Sequence, residues 1–247
     1  MIKLLFPVRK SKAYIFLIFV FILSLGCINE KYVSKNYVPI NKNTIGFLKP
    51  LSHIELITEK NLLVYDRDIS SKASDILMPK IYDIMGENKK KKQVFLGKDV
   101  LEDLAKRISS LELSLSKAQD KKGREDIIGS FILPESYSLL FSENNIDQLV
   151  ISQIEGFTRT KANFRSELVK NISAQVVTLG VYRPVSYKAN TTLHVWVINA
   201  HSRKIDFRNM NSNYTEPLDE YHLTNNVCEV MQGMFSYKSE LGQCFHY

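Results

Sequence analysis

The chain has 247 residues, of which 45% are apolar and 24% charged, with a formal net charge of +7. That apolar content supports a packed core and excludes a wholly disordered chain. Ten glycines and seven prolines exclude collagen-like and linker-dominated chains, and three cysteines exclude a disulfide-dense miniature scaffold.

The chain opens with a positive leader: Lys3, Arg9, Lys10 and Lys12, without an acid among them. Ala13 to Gly26 is an uncharged, mostly apolar run. It has the length of a signal-peptide core and falls short of the roughly 20 residues of a bilayer span. The run closes on Ser24-Leu25-Gly26 before Cys27. This tail resembles the lipobox of bacterial lipoproteins, with Ser24 where that family usually carries leucine. The resemblance implies cleavage before Cys27, lipidation of its thiol and acylation of its new amino group. Residues 1–26 are thus expected to be a signal peptide. Cys27 would then moor the protein to a membrane, since several acyl chains hold far better than one. Without residues 1–26 the basic count falls from 33 to 29 against 26 acids, and net charge drops from +7 to +3. Most of the basic excess therefore belongs to targeting, and a nucleic-acid partner is not expected.

Residues 28–44 are polar and aperiodic, so 27–44 reads as lipidated cysteine plus flexible tether, with a single globular domain over 45–247. Ile45–Leu48, Ile54–Thr58 and Leu62–Tyr65 read as short strands. Ile69, Ala73, Ile76, Leu77, Ile81, Ile84 and Met85 recur at helical spacing, and Pro79 is expected to kink that helix or delay its start. Lys89–Lys92 reads as a solvated loop, with an anionic-lipid contact as the functional alternative. Val94–Leu96 is a candidate strand. Asp99 with Glu102 resembles a capping box before the seam Leu101, Leu104, Ile108, Leu111 and Leu115. Residues 117–126 read as a charged turn, and Pro134 opens a short helix to about Phe141.

Leu149–Phe157 predicts a strand ending in a turn, followed by a helix from about residue 161 through Phe164, Leu168 and Ile172. Between them stands Gly156-Phe157-Thr158-Arg159-Thr160-Lys161. A glycine turn, hydroxyls and cations ahead of a helix suit an anionic group or a partner carboxylate. Alternatively a threonine simply caps the helix. Val176–Tyr182 looks extended, and the Gly/Pro-punctuated Leu179–Pro184 is a candidate partner-facing stretch. Thr192–Asn199 is apolar at alternating and intervening positions alike, as a central strand is. Ala200–Lys204 gives a hairpin into Ile205 and Phe207, and Pro217 starts a closing helix through Leu223, Val227 and Met231. The expected fold is α/β (α+β): a single mixed-sheet sandwich with flanking helices and a C-terminal antiparallel meander plus helix.

Export would oxidise Cys228 and Cys244, so a disulfide between them is expected, with two separate buried thiols as the alternative. Nucleophile-elbow, phosphate-loop, dinucleotide and zincin motifs are absent from the sequence. Asp66 with Asp68, or His194 with His201 across the hairpin, could form a catalytic or metal pair. Capping and ordinary burial are the plainer roles, so neither a metal nor a cofactor is expected.

The passage GFTRTK, LGVYRP, KANTTLHVWVIN, KIDF and EPLDE, within residues 130–236, resembles uncharacterised Bacteroides-type lipoproteins. The element order resembles the curli-secretion lipoprotein and the TolB amino-terminal domain. The first group has no assigned reaction and supplies no catalytic residues; the second likeness implies a non-enzymatic envelope module. The expectation is a lipid-anchored accessory or scaffold in the cell envelope, at the outer membrane facing the periplasm or at the cell surface, with an envelope protein as partner. A subunit of an oligomeric secretion pore and an envelope hydrolase are the alternatives.

Overall fold

The computed structural model describes residues 31–39, 44–85, 91–234 and Cys244. The leader and Cys27 lie outside the described residues. The first elements in chain order are β1 (Tyr32–Val33), β2 (Ile45–Phe47), β3 (Leu51–Ile57), β4 (Leu63–Tyr65), α1 (Arg67–Ile84) and β5 (Lys91–Gln93). Three helices follow: α2 (Lys98–Lys117), α3 (Lys121–Ser130) and α4 (Ser136–Asn144). The chain then gives β6 (Gln148–Arg159), α5 (Lys161–Val177), β7 (Ala189–Asn199), β8 (Ile205–Asn213) and α6 (Glu220–Met231).

The described strands form one open, mixed sheet in the order β1-β8-β7-β6-β2-β5. The 12-residue β6 is its spine. β7 pairs antiparallel along nearly its whole length, from Gln148↔Asn199 to Thr158↔Ala189. On the other side two short strands share β6: β2 covers Gln148–Val150 and β3 covers Gln153–Arg159, both parallel. Leu48–Pro50 there opposes only Ile151 and Ser152, which makes a bulge with one extra residue. Pro50 has no N–H to give a ladder, so it suits this break. β5 then flanks β2, while β4 flanks β3.

Both faces are covered. Val150, Ile154, Leu193, Val195, Val197 and Phe207 pack against Leu77, Ile81 and Ile84 of α1 and Val227, Val230 and Met231 of α6. Leu149, Ile151, Trp196, Ile198 and Ile205 pack against the Leu104–Leu115 seam of α2, with Ile128, Tyr137 and Phe141 beside it. The expected α/β sandwich with a terminal antiparallel meander is the observed architecture, and TLHVWVIN is a central strand.

β7 lies inside the sheet, its two faces buried in separate cores.

Several local expectations differ from the structure. Residues 31–39, expected within the tether, are docked on the domain. Tyr32–Val33 pairs with β8, and the Tyr37 hydroxyl donates to the Met234 carbonyl at 2.7 Å. The polar composition hid a strand only two residues long. The charged turn at 117–126 contains the start of α3, where the Asp120 carboxylate accepts from the Gly123 amide at 2.7 Å. Ile128 is its one fully buried residue, so the segment carries no apolar period to read. The strand expected at Val94–Leu96 lies just upstream, at Lys91–Gln93. Lys91 reaches the Tyr82 carbonyl and Lys92 the Asn144 carbonyl, each at 2.9 Å. Lys89 and Lys90 lie outside the described residues. Pro79 sits inside α1, which runs through it. Cys228 and Cys244 are joined, with Cα atoms 5.6 Å apart.

Candidate functional site

The sheet projects an arm. β6 ends at Arg159, Thr160 caps α5, and the chain returns through residues 178–188 into β7. Of α5, Asn163 alone is buried.

The arm's base is stitched to the body. The Asn163 side-chain amide donates to the Thr58 carbonyl at 2.8 Å and to Asn61 Oδ1 at 2.7 Å. Thr58 and Asn61 belong to the β3–β4 turn. Arg159 Nε donates to the Tyr187 carbonyl at 3.0 Å, and its Nη1 to Asn163 Oδ1 at 2.7 Å. The Thr158 hydroxyl donates to Glu216 at 2.9 Å, while Lys188 meets the same carboxylate at 2.6 Å. Tyr187 stacks on Tyr214 with ring centroids 3.5 Å apart. At Gly156 a Cβ would lie 2.0 Å from the Asn190 carbonyl oxygen, so the tight β6–β7 approach there requires glycine.

The residues expected to bind an anion therefore lie together at this base. Thr160 accepts from the Asn163 amide at 3.2 Å, which is the capping role. Thr158 and Arg159 hold the arm to the body, and Lys161 is exposed.

Beyond the base the arm is apolar and uncovered. Val169, Ile172, Val176, Val177, Tyr182 and Val185 are exposed, and Leu179 and Val181 are 92% and 91% accessible. Lys161, Arg165, Leu168, Ile172 and Val176 recur at three-to-four spacing, so one helix face grades from basic to apolar. The arm's charge is mainly positive, and its one acid, Glu167, pairs with Lys170 at 2.9 Å. Contiguous exposed apolar surface of this kind marks an interaction site.

The stretch Leu179–Pro184, expected to face a partner, is the tip of this arm. The extended conformation expected for Val176–Tyr182 is replaced by the last helical turn and a reversal. Thr178 and Gly180 amides donate back to Ala174 and Gln175, and Leu179 and Gly180 adopt φ of 50° and 78°. β-branched residues favour strands only where a pleated neighbour exists, and here there is none.

A second apolar surface follows β5, where sequence reasoning found no site. Phe95 (80% accessible), Val100 and Leu139 line a groove of about 500 Å³ between the start of α2 and α4. Its charged lining is acidic: Asp99, Asp103 and Glu143. Asp103 accepts from Arg107 at 2.7 Å and from the Tyr137 hydroxyl at 3.1 Å. The hydrogen bond from Arg107 holds the Asp103 carboxyl below the usual range. Burial, then the bond to Asp103, pushes the Tyr137 phenol up to about 12.

The candidate catalytic residues take plainer places in the fold. Asp66 caps α1, accepting from the Ile69 amide at 2.9 Å, and Asp68 sits in the first helical turn. His194 is buried mid-strand opposite Met210, whereas His201 is in the β7–β8 turn. Among the described residues no group of three His, Cys, Asp or Glu could hold a metal ion.

His194 instead shares a 3.0 Å hydrogen bond with Glu155, whose other oxygen accepts from Gln153 at 3.1 Å. The bond to His194 holds the Glu155 carboxyl below its ordinary 4.5. A carboxylate depressed on folding adds stability above its unfolded pKa and loses it as pH falls through the folded value. Urea unfolding from pH 7 to pH 3 should therefore show less acid destabilisation below about pH 4.5 in Glu155→Gln than in the wild type. Parallel curves would remove Glu155 from the acid response.

No protein-family model matches the chain, and no curated protein matches it. Among solved structures, the PelC dodecamer from Paraburkholderia phytofirmans is similar at 7% identity, over 84% of this chain and 96% of that one, with a TM-score of 0.37. The LpoB C-terminal domain from Salmonella enterica is similar at 9% identity, over 73% and 87%, with a TM-score of 0.27. Likenesses at these values are distant and assign no role.

Proposed function

We propose that the protein is a lipid-anchored cell-envelope module that works through protein–protein contacts, with the arm at residues 161–188 as its contact element. The carrying observation is the arm itself: a helix and return loop, fixed at the base by polar bonds, presenting an uncovered apolar face. Burying such residues against a partner gains about 25 cal/mol per Å² of apolar surface removed from water. The leader ending in Gly26-Cys27 supports the anchored placement. Among the described residues no helix is long and apolar enough to cross a membrane.

Two measurements test the reading. Intact mass of the native chain should give Cys27 as first residue with acyl mass attached, and Cys27→Ser should lose it. A chain that begins at Met1 with a bare thiol overturns the anchoring. A photo-crosslinker at Val177 should give discrete protein adducts in the intact envelope, and one at buried Leu193 should give none. Equal yields from both positions overturn the contact role.

A further inference from the structure

The arm has a chemical complement on its own molecule, and it leaves that complement uncovered. The arm face carries Lys161 and Arg165 ahead of Leu168, Ile172 and Val176. The groove offers exposed Phe95, Val100 and Leu139 with acidic Asp99 and Glu143 at its edge. Asp103 is already paired with Arg107, so Asp99 and Glu143 are the acids left to meet incoming cations. Apolar surface thus faces apolar surface, and positive charge faces negative.

The arm does not fill this groove within one molecule. The arm springs from the Arg159 end of β6, and its base is bonded to the β3–β4 turn. Phe95 and Leu139 in the groove and Leu179 and Val181 on the arm all stay exposed.

We propose that the arm of one copy docks in the groove of a second copy, head to tail. This rests on the reading of the arm as a protein-contact element and names its partner. The two surfaces differ, so the contact is heterologous: each copy still offers one free arm or groove, and copies add until a ring closes or a filament grows. The charge pattern gives the contact a direction, since two arms would repel and two grooves would repel.

The test uses the full chain, purified in mild detergent, in sedimentation across a concentration series. Wild type should form species larger than dimers. Val176→Asp on the arm and Leu139→Asp in the groove should each weaken association about tenfold or more, with unchanged thermal unfolding. Both positions are exposed, so the fold should tolerate the change. Mixing the two variants is decisive. One intact arm and one intact groove remain, so the mixture should form 1:1 dimers and stop there.

A monomeric wild type overturns the proposal. So does a Leu139→Asp chain that associates like wild type, because the arm then docks elsewhere. If wild type is monomeric while Val176→Asp loses binding to anionic phospholipid vesicles, the arm is a lipid contact and both readings fall. If wild type is monomeric while the Val177 crosslinks to another envelope protein persist, the docking arm survives and its self-partner does not.

Discussion

Replacing Glu112 by leucine is expected to cost about 3–5 kcal/mol, the largest effect of any single change outside the apolar core. Arg208 on β8 is 2% exposed, under α2. Glu112 Oε1 accepts from Arg208 Nε at 2.9 Å and from the Trp196 indole N–H at 3.2 Å. Its Oε2 takes Arg208 Nη2 at 2.5 Å. Without the carboxylate, a guanidinium and an indole N–H stay buried and lose their shared acceptor. The reverse asymmetry also holds. A well-packed apolar replacement of both partners is often neutral or stabilising, so Glu112→Leu with Arg208→Met should recover most of the loss. Urea unfolding followed by the single tryptophan, which sits in the cluster, measures both. A single-variant loss under about 1 kcal/mol would mean that the other contacts of Arg208 hold it without Glu112.

That cluster shows where sequence reading stops. The Leu104–Leu115 seam is legible because an apolar stripe at helical period has one structural meaning, and TLHVWVIN is legible because only a doubly covered strand is apolar throughout. Glu112 looks like an ordinary polar residue beside the seam. Its partner lies 96 positions away, and nothing local in α2 or β8 marks the pair. The same limit explains the division of β6's flank. Ile45–Phe47 and Leu51–Ile57 read as separate strands, and only the tertiary register shows them sharing one neighbour across a bulge.

The arm was half legible. The chemistry of GFTRTK suits anions, and in the structure Thr158 and Arg159 also supply polar bonds of the arm's base while Thr160 caps α5. Leu179–Pro184 stood out as an apolar stretch in the wrong company, and its exposure follows from having no sheet or helix packed on it. The groove was invisible. Phe95 and Leu139 are apolar residues in apolar neighbourhoods, and sequence treats such residues as core. Exposure of a large side chain becomes a signal only once the surrounding elements are placed.

Reduction of the Cys228–Cys244 bond is expected to cost about 3 kcal/mol, the second large effect. The bond closes a loop spanning 16 positions, and in the chain-entropy model a loop of that size stabilises by about this amount. Cys228 lies on α6, and both cysteines pack beside the core formed by Phe207, Val227 and Met231. Cutting the bond frees the unfolded chain and also loosens Cys244 from that core. Unfolding with and without reductant measures the sum. The Cys228→Ser plus Cys244→Ser chain should match the reduced wild type and ignore reductant, which separates the bond from any effect of reductant elsewhere. A loss below about 1 kcal/mol would show that the bond constrains the unfolded chain far less than its loop length implies. A loss near 3 kcal/mol would tie full stability of this domain to an oxidising compartment, as an exported protein requires.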